Sequence, residues 1–363
     1  MITVVIVDDS TVARAHLRRT LEADSELLVV GEATNGLEAM RLINRYDPRL
    51  ITMDVFLRDE NGLDITAAIM SESPRPIIVM TGVNPSDPEL VYKALDRGAL
   101  EVTSKLPARQ SPEFAAAANR LIRLVKALSQ VPVATRWTRK SRLAAIRQTR
   151  HIAPVSQALQ CQSSRPGQME HIANPEVFLF GASTGGPPVL NRILSSLQTP
   201  IPIPVVVSQH MSAGFGVGFG QWLEQVTGLR CVLVQDRTRL APNTVYVAPD
   251  SQNLVFLSER YATVETPSPT DRIVPSITAM FESGARHFGD AAVGVLLTGM
   301  GKDGAQGLKA IKTADGTTLV QAPETCVVSS MPETALSLKA ADAALQPDQI
   351  ARALNRLLTQ RRI

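Results

Sequence analysis

Val177-Phe178-Leu179-Phe180-Gly181-Ala182-Ser183-Thr184-Gly185-Gly186 is an apolar run that stops at a glycine-rich turn, and a helical pattern resumes near Pro188. A buried strand that feeds a helix through Gly-x-Ser-x-Gly lifts a serine hydroxyl out at the strand's carboxyl end. The helix that follows offers backbone N–H groups and the positive end of its dipole to an oxyanion. Taken alone, the turn has two other readings: a loop that cradles a phosphate or nucleotide, and a purely structural turn in which Ser183 caps the helix.

The residues around it favour the nucleophile. Residues 204–207 read as a second strand, followed by Ser208-Gln209-His210-Met211. Residues 293–298 read as a third, leading into Gly299-Met300-Gly301-Lys302-Asp303-Gly304. A lone histidine is usually structural and a lone aspartate in a glycine-rich loop is usually a turn residue. Ser183, His210 and Asp303 at three strand ends of one sheet are instead the right chemical types for a converging hydrolytic site. Ser183 is then the nucleophile, His210 the proton carrier, and Asp303 the group that fixes the imidazole. The chain order Ser…His…Asp differs from the Ser…Asp…His of the α/β-hydrolases, so the likeness to that fold's elbow is local. Residues 317–320 supply a further buried strand. Residues 230–234, 244–247, 254–257 and 262–264 read as more strands, some of them a hairpin. The expected architecture is a doubly wound, mostly parallel α/β domain with a small antiparallel hairpin, over residues 175–358.

The N-terminal part has its own period. Short apolar runs at 3–7, 27–30, 50–53, 76–80 and 99–103 alternate with helical patterns such as 36–46 and 89–97, and a helix over 113–128 closes the unit. Five strands alternating with helices predict a five-stranded parallel sheet of flavodoxin-like type, residues 1–128. Asp8 and Asp9 follow the first strand, Asp54 the third, Thr81 the fourth and Lys105 the fifth. Strand carboxyl ends in such a sheet share one crevice. Three carboxylates gathered there repel one another unless a cation joins them, and Mg²⁺ suits carboxylates, water and phosphate oxygens. An Asp carboxylate beside Mg²⁺, a hydroxyl and an ammonium is equipped to accept a phosphoryl group.

At this point two resemblances are specific. Residues 1–128 resemble the receiver domain of bacterial two-component response regulators. The resemblance implies Asp54 as phosphoacceptor, Asp8, Asp9 and Asp54 as Mg²⁺ ligands, and Thr81 and Lys105 as phosphoryl contacts. Residues 175–358 are similar to the catalytic domain of the CheB family of chemotaxis protein-glutamate methylesterases. The matching stretches are 181–187 (GASTGGP), 209–215 (QHMSAGF), 245–249 (VYVAP), 296–304 (LLTGMGKDG) and 324–335 (ETCVVSSMPETA). That similarity implies a phosphorylation-regulated serine esterase that removes methyl groups from receptor glutamate esters, releasing methanol, and that extends to deamidating receptor glutamines. It carries over Ser183, His210 and Asp303 as the triad, with Thr184 and Met300 as active-site neighbours and the Met300 N–H as an oxyanion donor. The implied partners are a histidine kinase as phosphodonor and methyl-accepting chemoreceptors as substrate. Ser330 and Thr278 stand where the family often has Gly and Asp.

The totals exclude other classes. The 363 residues carry a net charge of +3, with 44% hydrophobic and 20% charged side chains, which suits two soluble domains. The basic excess falls mainly in residues 136–165, inside a stretch over 129–174 that is rich in Arg, Gln, Ser and Thr and reads as a flexible linker, with a transient helix at 141–150. No helix-turn-helix pattern follows residue 177, so no nucleic acid is expected as a partner. The 3 cysteines are far apart and the 5 histidines lack metal-ligand spacing, so no disulfide framework and no cofactor in the esterase site are expected. The apolar start is too short to span a bilayer, and a cytoplasmic protein without membrane insertion is expected. A non-catalytic receiver adaptor docking on chemoreceptors is the competing function.

Overall fold

The computed structural model describes residues 1–82, 88–130, 174–211, 214–267 and 273–361. The expected linker over 131–173, with its helix at 141–150, lies outside the described residues, as does Ser212.

The first unit runs β1 (Ile2–Val7), α1 (Thr11–Leu21), β2 (Leu27–Ala33), α2 (Gly36–Tyr46), β3 (Leu50–Asp54), α3 (Gly62–Glu72), β4 (Ile77–Thr81), α4 (Pro88–Asp96), β5 (Glu101–Ser104) and α5 (Phe114–Leu128). The sheet order is β2-β1-β3-β4-β5, and every strand pair is parallel. Strands β3 and β4 are buried along their whole length because helices cover both faces, which is why they read as continuous apolar runs rather than alternating ones. Local capping sets the helix starts: Ser10, Asn35 and Asn61 each accept a backbone N–H of the first turn. Chain order reverses between β1 and β3, so the crevice at their carboxyl ends is where a ligand binds in such a sheet. Asp54 and Thr81 are the last residues of their strands rather than the first beyond them.

The second unit runs β6 (Val177–Ala182), α6 (Gly186–Leu194), β7 (Val205–Gln209), α7 (Gly216–Thr227), β8 (Arg230–Leu233), β9 (Thr238–Arg239), β10 (Thr244–Val247), β11 (Asn253–Ser258), β12 (Tyr261–Glu265), α8 (Ile277–Phe288), β13 (Ala292–Leu296), α9 (Ala305–Thr313), β14 (Thr317–Gln321), α10 (Ser330–Ser337), β15 (Ala343–Leu345) and α11 (Pro347–Gln360). Seven strands form a sheet in the order β15-β14-β13-β6-β7-β10-β8, with parallel pairing throughout. Strands β9, β11 and β12 form a separate antiparallel sheet, order β11-β12-β9. The expected hairpin is therefore 253–265, whereas β8 and β10 belong to the main sheet. The sequence pattern missed β15 because an edge strand of three residues, none of them fully buried, carries little hydrophobic signal.

Alternate residues of the central strand β6 feed two cores. Phe178 and Phe180 point with Val205, Val207 and Val295 toward α6, α7 and α11. Val177 and Leu179 point with Val206 and Tyr246 toward α8, α9 and the small sheet. All six β6 residues are buried, so the strand that carries Ser183 at its end is enclosed along its whole length.

Between the units, α4 packs on α6 and α7. Val91 and Leu95 of α4 fall in one continuous apolar cluster with Phe215, Phe219 and Trp222. A second seam joins Leu100 and Leu106 of the receiver unit to Met300, Val327 and Val328 of the other. Among the described residues, no helix is long and apolar enough to cross a membrane.

Gly62 opens α3 where an added Cβ would stand 1.8 Å from the Asp54 carbonyl oxygen. Gly62→Ala is expected to lower the stability of the receiver unit by about 1–3 kcal/mol, the cost of forcing a backbone shift in a packed site. Urea unfolding of the full chain checks this; an unchanged midpoint would mean that the loop beside Asp54 yields freely.

Candidate active site

The order β13-β6-β7 puts three carboxyl ends side by side at the point where the second sheet's chain order reverses, the usual crevice of a doubly wound sheet. Ala182 of β6 is in register with Gln209 of β7, so Ser183 and His210 are the next residues on strands about 4.8 Å apart. The His210 N–H donates to the Ala182 carbonyl at 2.9 Å, and the Ser183 N–H donates to the Thr298 carbonyl at 3.0 Å. Ser183 is thereby tied to both neighbours at the crevice. Ser183, Gln209, His210, Met211 and Phe215 line one cleft.

The elbow has its own geometry. Gly185 adopts φ 78° before α6, a left-handed conformation that a residue with Cβ resists. The Gly186 N–H donates back to the Ser183 carbonyl at 2.8 Å. A Cβ on Gly186 would meet Gln209 Oε1 at 2.2 Å, so the turn is packed as well as bent.

Asp303 and His210 are in direct contact, Oδ2 to Nε2, at 2.8 Å. This leaves Nδ1 as the imidazole nitrogen available to serine. The carboxylate also accepts the N–H of Ile277 at 2.7 Å and that of Thr278 at 3.0 Å, both in the first turn of α8. Its own neighbour Gly304 donates a third at 2.9 Å. A helix N-terminus with its N–H groups aimed at a carboxylate favours the ionised form. Burial pushes the Asp303 carboxyl the other way. The hydrogen bond and charge of His210, with the bonds from Thr278 and Ile277, outweigh burial and hold the group at about 2. It is therefore an anion throughout the range in which an imidazole titrates. Thr278 adds a bond of its own, its hydroxyl accepting the Gly304 N–H at 2.8 Å, which fixes the loop after Asp303.

Three buried polar side chains have no counterpart in the sequence reading. The Gln209 amide donates to the carbonyls of Ser183 and His210, each at 2.8 Å, and so clamps the two main chains together. Its Oε1 is buried without a partner among the described residues. The Thr298 hydroxyl bonds the Thr184 and Val328 carbonyls at 3.0 and 3.1 Å, and its N–H donates to Gln321 Oε1 at 3.0 Å. Gln209 stood in a quoted motif, but nothing in one sequence distinguishes an amide that clamps two carbonyls from one that faces solvent. Ser276 was more legible: a serine before an apolar helical run is an N-cap, and it accepts the Ala279 N–H.

The Met300 loop is held by Ser330, whose hydroxyl accepts the Gly301 N–H at 2.9 Å and donates to the Gly299 carbonyl at 3.0 Å. The Gly299 N–H is used by the Val328 carbonyl. The Met300 N–H between them makes no hydrogen bond among the described residues, and its side chain packs in the seam against the receiver. Thr184 is 7% exposed beside Ser183.

In the first unit, ligand oxygens of Asp8, Asp9 and Asp54 lie within 4.8 Å of one another. Lys105 Nζ bonds Asp8 Oδ2 at 2.7 Å and Asp54 Oδ2 at 2.8 Å. Burial raises the Asp54 carboxyl above its ordinary range against the pull of Lys105. The cluster's all-oxygen donors and excess negative charge fit a hard divalent cation. Thr81 is 2% exposed at the end of β4, and its carbonyl accepts the Lys105 N–H at 2.9 Å. All five expected residues thus meet at one rim.

Residues 178–354 match the family model of the CheB methylesterase, and residues 4–111 match that of the response regulator receiver domain. The protein-glutamate methylesterase/protein-glutamine glutaminase 4 of Geobacter metallireducens is 35% identical over 363 residues, 99% of this chain and 100% of that protein. The chain belongs to the CheB methylesterase family. The protein-glutamate methylesterase/protein-glutamine glutaminase 1 of Syntrophus aciditrophicus is 39% identical over 358 residues, 98% of each chain. The catalytic domain of Thermotoga maritima CheB is 30% identical with a TM-score of 0.48, over 50% of this chain and 98% of that one.

Family membership makes the Gln209 clamp testable. Gln209→Met keeps the volume and removes both donors. It is expected to slow labelling of Ser183 by a fluorophosphonate about 100-fold, the scale of a roughly 1 Å misplacement, while circular dichroism stays unchanged. An unaltered labelling rate would show that the strands hold the pair without the amide.

Proposed function

We propose that the chain is a phosphorylation-regulated serine esterase that hydrolyses glutamate methyl esters on chemoreceptors and also deamidates receptor glutamines. The observation that carries this reading is the His210–Asp303 bond at the crevice that Ser183 enters from the adjoining strand. An adaptor with a degenerate domain has no use for an ionised Asp303 held by a helix N-terminus against an imidazole.

The chemistry follows from the groups present. Nδ1 of His210 takes the Ser183 proton as Oγ attacks the γ-carbonyl carbon. Charge developing on the carbonyl oxygen falls to the Met300 N–H, with Thr184 at the rim. The tetrahedral carbon then loses methoxide, which leaves as methanol with the proton from His210. Water attacks the acyl-enzyme with His210 as base again, giving the glutamate and restoring the Ser183 hydroxyl. For a glutamine the leaving group is ammonia. Asp303 stays ionised throughout and balances the imidazolium.

Control lies in the receiver. Asp54 is the phosphoacceptor, with a histidine kinase as donor. Asp8, Asp9 and Asp54 would hold Mg²⁺, which when bound neutralises charge on the transferring phosphoryl group. Lys105 and Thr81 contact the group once it is on Asp54. Leu100, Val102 and α4 close one side of the cleft that holds Ser183, so the unphosphorylated receiver restricts access for a receptor helix. Phosphorylation shifts the balance toward an open arrangement because the phosphoryl group binds the two arrangements differently.

Methanol release from methylated receptor membranes tests the proposal. The full chain is expected to work faster with a phosphodonor, Asp54→Asn to keep only the basal rate, and Ser183→Ala to lose activity by about 10⁴-fold or more. Absence of methanol from the wild-type chain would return it to the adaptor reading, and a wild-type rate in Ser183→Ala would remove Ser183 as the nucleophile.

A further inference from the structure

The cleft beside Ser183 contains a glutamate. Glu101 opens β5, the edge strand of the receiver sheet, and lines the cleft with Ser183, Gln209 and His210. Thr184 is near enough to its carboxyl to favour the ionised form. The Val102 N–H donates to Oε1 at 3.3 Å. We infer that Glu101 is an internal ligand of the esterase site, its carboxyl occupying the place of the substrate's γ-carboxyl group; the inference rests on the esterase reading above and names both its regulator and its acyl-binding contact, Thr184.

The chemistry of the match is direct. The reaction's product is a glutamate side chain, and the receiver presents one on a strand that reaches the nucleophile's neighbour. A tethered group of this kind competes at high effective concentration with any receptor, so a weak contact suffices. Its protonation matters. An ester or carboxamide is neutral, and a site built for either accepts a neutral acid more readily than a carboxylate. Burial pushes the Glu101 carboxyl up to about 7, against the charge of Arg120, the hydrogen bond of Val102 and the nearness of Thr184. Arg120 acts on it from α5, His210 lines the same cleft, and α4 brings the apolar Val91 and Leu95.

The same strand reaches the phosphorylation site. Lys105 follows β5 directly and bonds Asp54 and Asp8. It lies four positions along extended chain from Glu101, about 13 Å at ordinary strand rise. A phosphoryl group on Asp54 gives Lys105 a new partner, and the strand carries the change to Glu101 as a displacement of the docked carboxyl.

A carboxyl that is raised from 4.5 when docked stabilises docking fully below pH 4.5 and loses that contribution as pH rises through about 7. The test uses the full chain, methylated receptor membranes, and phosphoramidate as phosphodonor. The quantity read is the ratio of unphosphorylated to phosphorylated rate, in which any effect of pH common to the two states cancels. In the wild type this ratio is expected to rise between pH 4.5 and about 7. In Glu101→Ala it is expected to be flat, with an unphosphorylated rate about tenfold higher and the phosphorylated rate unchanged. Leu100→Ala loosens the same cover but keeps the carboxyl, and is expected to retain the pH slope. An unchanged unphosphorylated rate in Glu101→Ala overturns this inference alone, as does a slope that survives in that variant. Absence of methanol from the phosphorylated wild type overturns the esterase reading and this inference together.

Discussion

The bond between His210 Nε2 and Asp303 Oδ2, 2.8 Å long, is the constraint on which the catalytic half of the molecule turns. It joins residues 93 positions apart in the chain. It exists because β13, β6 and β7 are neighbours in one parallel sheet, so that loops from separate crossovers open on one crevice. The first turn of α8 keeps Asp303 ionised, and Asp303 in turn directs the imidazole. Buried amides and a buried hydroxyl then lock the main chain: Gln209 across β6 and β7, Thr298 and Gln321 on the β13 side. Such groups are costly to bury unless bonded, and here most of their bonding capacity is spent holding strand ends together. The site is rigid because its scaffold is polar as well as packed.

The receiver half repeats the design with different chemistry. Its crevice lies at its own reversal of strand order and is lined by carboxylates instead of a nucleophilic hydroxyl. Lys105 spans Asp8 and Asp54, a cation inside an acidic cluster that a metal and a phosphoryl group would rearrange. The two halves meet where α4 packs on α6 and α7, and the start of β5 lines the cleft that holds Ser183. One short strand, β5, begins at the cleft that holds Ser183 and ends just before Lys105.

Much of this was legible in the chain itself. Buried parallel strands announce themselves as short apolar runs ending in chemically loaded residues, and Asp8, Asp54, Ser183 and His210 each stand at or just past such an end. Helix α2 was bounded correctly over 36–46 because Asn35 caps it and Asp47 ends it in a left-handed conformation. What was not legible depends on tertiary contact. The loop between β13 and Asp303 spends two residues, Leu297 and Thr298, completing the crevice after the strand has ended at Leu296, although the apolar run continues into Leu297. The role of Gln209 needs both carbonyls in place before it has meaning. Glu101 reads as an ordinary polar residue at the start of an edge strand, and only the apposition of the two domains turns it toward Ser183.

The orientation of one imidazole carries the whole catalytic account. Nitrogen-15 NMR of the full chain with labelled histidine, His210 assigned by its absence in His210→Gln, reads that orientation directly. The account predicts a neutral His210 with its proton on Nε2, bonded to Asp303, and a free Nδ1 facing Ser183; a proton on Nδ1, with a resonance indifferent to Asp303→Asn, would contradict it.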